Sequence, residues 1–304
     1  MSNDSENQKV QTPDVTVIIP AFNEEYSIGA CLSAIQNQTC DNYEVILSDN
    51  GSTDETVEIA RSFDGVTIVN ENETQGSYAA RNTAITAASG DVIAFTDADC
   101  VPDSRWLENG LKQLTDTDAD LVGGNVVFTY ADQNDPAQLF DSITNMQIEQ
   151  NIKNRNVAKT ANLFVYKDVL EDIGPFPNHL ESGGDVYWTN KATDAGYILS
   201  YASDAIVKHP ARTFSELLQK QHRVGRGQIQ IRNIEGWNWQ KRIRVAAWIL
   251  SGFLPKPPHY LTRDLSRANI SVTLFIFIQI LLVAWVCRIV EAIGRIEYIV
   301  TEEL

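Results

Sequence analysis

Asp91-Val92-Ile93-Ala94-Phe95-Thr96-Asp97-Ala98-Asp99 is the stretch on which the reading of this chain turns. Gly90-Asp91 is a turn signal, and the short apolar run at residues 92–95 reads as a buried strand. Residues two apart in extended chain point the same way, so the carboxylates of Asp97 and Asp99 can face one point at the strand's C-terminal end. Carboxylates held that closely repel. A cation between them relieves the repulsion, and Mg²⁺ or Mn²⁺ suits such hard oxygen donors while bridging them to substrate phosphates. The bland alternative is a solvated acidic turn, and the surrounding chain decides between the two.

Upstream, residues 15–19 read as a strand ending at Pro20, followed by a helix with Ile28, Cys31, Leu32 and Ile35 on one face. Residues 43–47 form a second strand, after which Ser52 or Thr53 can cap a helix carrying Thr56, Val57 and Ala60. Residues 66–69 form a third, and Gly76 opens a helix with Tyr78, Arg81 and Asn82 before Asp91 starts the fourth. Strands separated by helices imply right-handed crossovers and an α/β fold with a mainly parallel sheet, whose ligands sit beyond the C-terminal strand ends. Asn23 and Glu24, Asp49, and Asp97 with Asp99 all lie there. The chain has neither the GxGxxG pattern nor the GxxxxGK[ST] loop, so dinucleotide and P-loop readings fail. An acidic edge beside such a crevice points to a metal-bound nucleotide diphosphate.

Downstream, residues 121–128 read as a strand whose Gly123-Gly124 allow close backbone approach, and residues 161–166 as another. Gly183-Gly184 frees the backbone to place Asp185 at the start of a helix. His209 follows a short strand at residues 205–208, and Arg223 and Arg226 stand in a basic stretch suited to phosphate through guanidinium geometry or to lipid headgroups. A lone histidine is more often structural than a ligand.

Four stretches in order resemble family 2 glycosyltransferases of the GT-A fold: Val17-Ile18-Ile19-Pro20-Ala21-Phe22-Asn23-Glu24, Ser48-Asp49-Asn50-Gly51-Ser52-Thr53-Asp54, Ala80-Arg81-Asn82 and Asp97-Ala98-Asp99. The resemblance covers roughly residues 14–230. It implies inverting transfer from a nucleotide-sugar donor of the UDP or GDP type. It assigns Pro20, Phe22, Glu24 and Asp49 to the nucleoside, Arg81 to the donor, and Asp97 and Asp99 to diphosphate and metal. His209 is placed near the metal or diphosphate, and Arg223 and Arg226 in an altered QxxRW region. Asp185 is the expected catalytic base, with Glu181 in reserve; its null is a simple helix N-cap. Two departures stand out. Asn50 replaces a common second Asp, and Gly184 replaces the usual Glu before the base.

Charge is divided along the chain, whose formal net charge is −16. Residues 1–210 hold 33 acids and 11 bases, a balance of −22, whereas residues 211–304 hold 7 acids and 13 bases, a balance of +6. An acidic front excludes nucleic-acid binding, and a basic rear suits anionic lipid or phosphate. The 22 Asp against 10 Lys suggest a salt-loving organism. The four cysteines have no ligand spacing, and the polar N-terminus has no apolar segment of a signal peptide.

Residues 270–287 carry no charge, which meets the length for a membrane-spanning helix; a buried core helix is the alternative. The basic excess before it places the catalytic part in the cytoplasm, and residues 245–254 are too short to span and read as an interfacial helix. The expected organisation is a disordered tail at 1–13, a glycosyltransferase domain at 14–235, a basic interfacial segment at 236–269, a membrane helix at 270–290 and a short tail at 291–304. The expected acceptor is a glycan on a dolichyl or polyprenyl phosphate, as for the haloarchaeal enzymes of surface-layer N-glycosylation that the chain resembles. Rival readings are a polyprenyl-phosphate sugar synthase and a catalytically inactive membrane scaffold.

Overall fold

The structure, a computed structural model, describes residues 14–234 and 239–302, so the expected disordered tail at 1–13 lies outside the described residues. Strands β1 (Val15–Ala21), β2 (Tyr43–Asp49), β3 (Val66–Asn70) and β4 (Val92–Thr96) alternate with helices α1 (Ile28–Gln36), α2 (Thr56–Arg61) and α3 (Ser77–Ala87). They pair in parallel in the order β3-β2-β1-β4. All seven residues of β1 are buried because helices cover both faces of the sheet. Val15, Val17 and Ile19 pack with Ile28, Leu32 and Trp106 on one face, while Ile18, Ile93 and Phe95 pack with Ala84 and Trp188 on the other.

The second half of the sheet is mixed. It contains β5 (Val101–Pro102), α4 (Trp106–Asp116), β6 (Leu121–Thr129), α5 (Pro136–Thr144), α6 (Ile148–Arg155), β7 (Asn162–Tyr166), α7 (Lys167–Ile173), α8 (Gly184–Asp194) and β8 (Leu199–Pro210). β7 runs antiparallel between β4 and β6, β8 is parallel to β6, and β5 closes the edge antiparallel to β8. The strand expected at 205–208 is thus the end of a longer one, whose Ser200, Ser203 and Asp204 mask its hydrophobic pattern. At the start of α2 the expected caps are engaged elsewhere. Ser52 Oγ accepts from Asn23 N (2.9 Å), and Asp54 takes the Thr56 N–H instead (3.1 Å).

Four helices follow: α9 (Phe214–Ile234), α10 (Trp239–Gly252), α11 (Pro258–Arg267) and α12 (Leu274–Glu302). α12 is long and apolar enough to cross a membrane. It begins four residues inside the uncharged run and continues through the stretch expected to be a tail, packed against α5, α9 and α10.

Candidate active site

Three acidic loops meet at the C-terminal ends of β1, β2 and β4. Asp97, Asp99, Cys100 and His209 each bring one ligand atom within 4.8 Å of the others. His209, 1% exposed, arrives from β8 with Nε2 3.5 Å from Asp99 Oδ2. Its Nδ1 lies 2.7 Å from the Pro210 carbonyl oxygen, which calls for an N–H there and leaves Nε2 as an acceptor facing the cluster. Cys100 Sγ is 3.6 Å from Asp99 Oδ1, and burial, followed by the Asp99 and Asp97 charges, pushes its thiol well above the usual range. The hard donors are therefore two carboxylates and one imidazole, a set that fits Mg²⁺ or Mn²⁺.

Glu24 adds a further acid. Burial, then the charges of Asp99, Asp97 and Asp54, raises its carboxyl pKa against the opposing Ser27 hydrogen bond (2.5 Å). The rim thus holds more negative charge than its own groups neutralise. Arg81 on α3, 3% exposed, donates from Nη2 to Asp97 Oδ1 (2.5 Å), and its buried Nε has no partner. Pro20 is buried in β1 opposite Ser48, and Phe22 is 48% exposed at the same edge.

Asp49, 5% exposed, accepts the backbone N–H groups of Gly51 and Ser52 (each 3.2 Å). The neighbouring Asn50 explains the first departure. Its Nδ2 donates to the Glu71 and Thr74 carbonyls (2.9 Å each), while Oδ1 accepts from Gln75 Nε2 (2.9 Å) and Gly76 N (2.6 Å). An aspartate cannot donate to two carbonyls, so only an amide pins the β3–α3 loop this way.

Asp185 stands in the first turn of α8, and Tyr78 from α3 holds it. The Tyr78 hydroxyl donates to Asp185 Oδ1 (3.2 Å) and accepts from Gly184 N (2.9 Å). Burial, then the Asp185 charge, raises the Tyr78 pKa, so the phenol keeps its proton. The second departure follows from the same contact. A Cβ at Gly184 would lie 2.8 Å from the Tyr78 ring, leaving no room for a side chain.

Asp97, Arg81, Tyr78 and Asp185 share one cavity of about 600 Å³. Its far wall is basic: Arg155, Lys159, Arg212, Lys220, Arg223, Lys256, Arg263 and Arg288 all line it. Beneath the wall the fully buried Asp141 of α5 accepts from Arg212 and Lys220 (3.3 Å each). Burial works against its charge, but those two cations hold its carboxyl below the usual range. Burial, with Arg212 beside it, lowers Lys220 to about 7 against the pull of Asp141.

Arg223 lines this cavity; Arg226 does not. Arg226 donates from Nε to both oxygens of Glu181 (2.8 and 2.9 Å) and from Nη1 to Glu297 (3.1 Å). Arg226, expected at the donor, has its guanidinium tying α9 to Glu181 and α12. Glu181, the reserve base, is committed to the same pair. Sequence reading also missed the positioning contact of Tyr78 and the trio Asp141, Arg212 and Lys220. Lys220 in the altered QxxRW stretch was the one visible signal.

The model of the family Glycosyl transferase family 2 matches residues 16–169. Glycosyltransferase AglE of Haloferax volcanii is 54% identical over 297 residues, covering 96% of this chain and 98% of that protein. The chain is a family 2 glycosyltransferase. Among solved structures, this glycosyltransferase superposes on the mannosyltransferase PcManGT of Pyrobaculum calidifontis, in complex with GDP-Man and Mn²⁺. That match has a TM-score of 0.64 at 20% identity and covers 94% of this chain and 88% of the other. Residues 1–349 of S. aureus TarS, in complex with UDP-GlcNAc, give a TM-score of 0.54 at 17% identity over 95% and 92% of the two chains. At those identities the structural likeness establishes the GT-A fold.

Proposed function

We propose that this glycosyltransferase is inverting and dependent on Mg²⁺ or Mn²⁺. In this reading it moves a sugar from a UDP- or GDP-linked donor to a lipid-linked glycan on dolichyl or polyprenyl phosphate. It works at the cytoplasmic face of the cell membrane, in N-glycosylation of a haloarchaeal surface-layer glycoprotein. One observation carries the reading: Asp97 of the acid rim, the positioned Asp185 and a basic wall line a single cavity. The pathway rests on the resemblance to AglE and the acidic composition.

Asp97, Asp99 and His209 would hold the cation, which when bound supplies positive charge to the departing diphosphate. Pro20, Phe22, Glu24 and Asp49 border the nucleoside, and Arg81, which lines the cavity beside Asp97, serves the donor. Asp185 takes the proton of the acceptor hydroxyl as the new bond forms, with Tyr78 aiming the carboxylate. Attack from the face opposite the leaving nucleotide inverts the anomeric centre. Arg212, Lys220 and Arg223 face the acceptor side, where their charge suits a lipid phosphate.

The basic wall also favours a second reading, in which the carrier phosphate itself is the nucleophile and the enzyme is a polyprenyl-phosphate sugar synthase. A phosphate needs little deprotonation, so Asp185→Asn would leave that reaction largely intact. Mass spectrometry of lipid-linked glycans from cells lacking this enzyme tests the primary reading. A glycan truncated by one sugar is expected; an unchanged glycan pool would refute it.

A further inference from the structure

α12 has two opposite faces, the outer one interrupted where α10 covers Ala292. Ile280, Cys287 and Arg295 on the inner face are at most 4% exposed, whereas Leu274, Ile278, Leu282, Trp285, Ile293 and Val300 are 38–75% exposed. The inner face is seated on the catalytic domain near both ends. Ile280 packs with Leu139 and Leu261, and Cys287 with Leu217. Near its C-terminal end backbone meets backbone. A Cβ at Gly294 would sit 2.3 Å from the His222 carbonyl oxygen, and one at Gly225 would sit 2.1 Å from that of Glu291.

The charges of α12 follow the same division. Arg288 donates to the Ser251 (2.6 Å) and Leu254 (3.1 Å) carbonyls, Arg295 pairs with Glu291 and Gln228, and Glu297 meets His222 (2.7 Å) and Arg226 (3.1 Å). The outer stripe, spaced by three or four residues, carries no charge from Leu274 to Val300. A helix that crosses a membrane has its ends on opposite sides of about 30 Å of hydrocarbon. Here both ends rest on one domain. Crossing would also drag α9, with Lys220 and Arg223, and α11, with Arg263 and Asp264, into lipid at high cost.

We infer that α12 lies along the membrane rather than across it, with its outer stripe dipped into the cytoplasmic leaflet. Ile243, Leu250 and Leu254 of the α10 region extend the apolar face (60–69% exposed). Trp285 Nε1 joins the two by donating to the Phe253 carbonyl (2.9 Å). Exposed Arg244, Lys256 and Arg267 lie in the same region, which matches an anionic lipid surface and would repel the same basic region of a second copy docked face to face. Leu281, Ala284 and Arg288 of α12 line the catalytic cavity, so docking brings its mouth to the height of the headgroups. This deepens the membrane assignment proposed above and rests on it.

The test is vesicle-sided cysteine labelling of the full-length chain, carrying Cys40→Ser and either Asn269→Cys or Thr301→Cys. An impermeant maleimide is expected to reach both positions from the same side of sealed vesicles. Labelling from opposite sides would overturn the inference while leaving membrane attachment intact. Protein absent from the membrane fraction, or a soluble dimer through this face, would refute the attachment and the inference together. In parallel, Ile278→Glu with Leu282→Glu is expected to lower partitioning onto vesicles containing phosphatidylglycerol by about a hundredfold, with donor binding retained. Partitioning unchanged by that pair would also overturn it.

Discussion

The acid rim at the ends of β1, β2 and β4 and the basic wall meet at one cavity, which Asp97 lines for the rim and cations from several helices and loops line for the wall, and they are built differently. The acids of the rim are local: Asp97 and Asp99 leave one strand together and Glu24 and Asp49 follow adjacent strands, with His209 alone arriving from the distant β8. The wall is assembled from distant segments, with Lys159, Arg212, Lys220 and Arg288 each on a different element or loop, and with Arg212 and Lys220 paired to the buried Asp141. A surplus of negative charge on one side calls for a cation, and a surplus of positive charge on the other calls for an anion. Under the proposed function, the difference makes donor and acceptor recognition separable. A variant on one side should leave binding on the other side intact.

The largest expected effect tests the group between them. Asp185→Asn lowers kcat by about 10²–10⁴-fold, with donor affinity by titration calorimetry unchanged. Normal turnover would remove Asp185 from the chemistry. On the rim, Asp99→Asn raises the Mn²⁺ concentration needed for half-maximal activity by about a hundredfold, since even outer contacts of metal sites cost 10–100-fold. An unaltered Mn²⁺ response would mean the cluster is not the metal site.

On the wall the probe is pH. Lys220 sits near 7 where a free lysine sits at 10.5, so the folded chain sheds this proton first. Between those values the unfolded chain binds more protons, and this group's contribution to stability rises with pH. Anion binding runs the other way. The acceptor KM is expected to climb about tenfold from pH 6 to 9, and Lys220→Arg should flatten that rise while the donor KM stays put. A pH-independent acceptor KM in the parent enzyme would detach Lys220 from acceptor binding.

How far these parts were legible in sequence follows from how they are built. The parallel half of the sheet and the pair Asp97 and Asp99 were readable because strand periodicity and two-residue spacing are local signals. His209 was suggested only by resemblance, since nothing along the chain announces that β8 ends beside β4. Asp141 gave no signal at all; a lone Asp between Phe140 and Ser142 acquires its meaning when Arg212 and Lys220 fold over it. The uncharged run at 270–287 was legible as apolar, but which face is covered depends on α5 and α9. Arg226 looked like a phosphate ligand because its pairing with Glu181 and Glu297 spans 45 and 71 residues.

Two smaller effects sharpen the contrast. Tyr78→Phe removes one hydrogen bond to Asp185 and should reduce kcat about threefold to tenfold, with both KM values preserved. A shift in donor KM instead would show that the hydroxyl serves the rim. Arg226→Met should leave donor KM alone and cost about 1–2 kcal/mol in thermal unfolding, because Glu181 loses its cation and Glu297 is left with His222. A large donor KM change with no loss of stability would return Arg226 to the donor site.

α3 carries Tyr78 and Arg81 one helical turn apart, the first gripping Asp185 and the second gripping Asp97. In the proposed mechanism, the separation between the incoming nucleophile and the outgoing nucleotide is then set by a rigid ruler of three residues. Lengthening or shortening that turn by a single residue would swing one grip to the wrong side of the helix. Each half-site would survive alone, yet the two could no longer act on the same sugar.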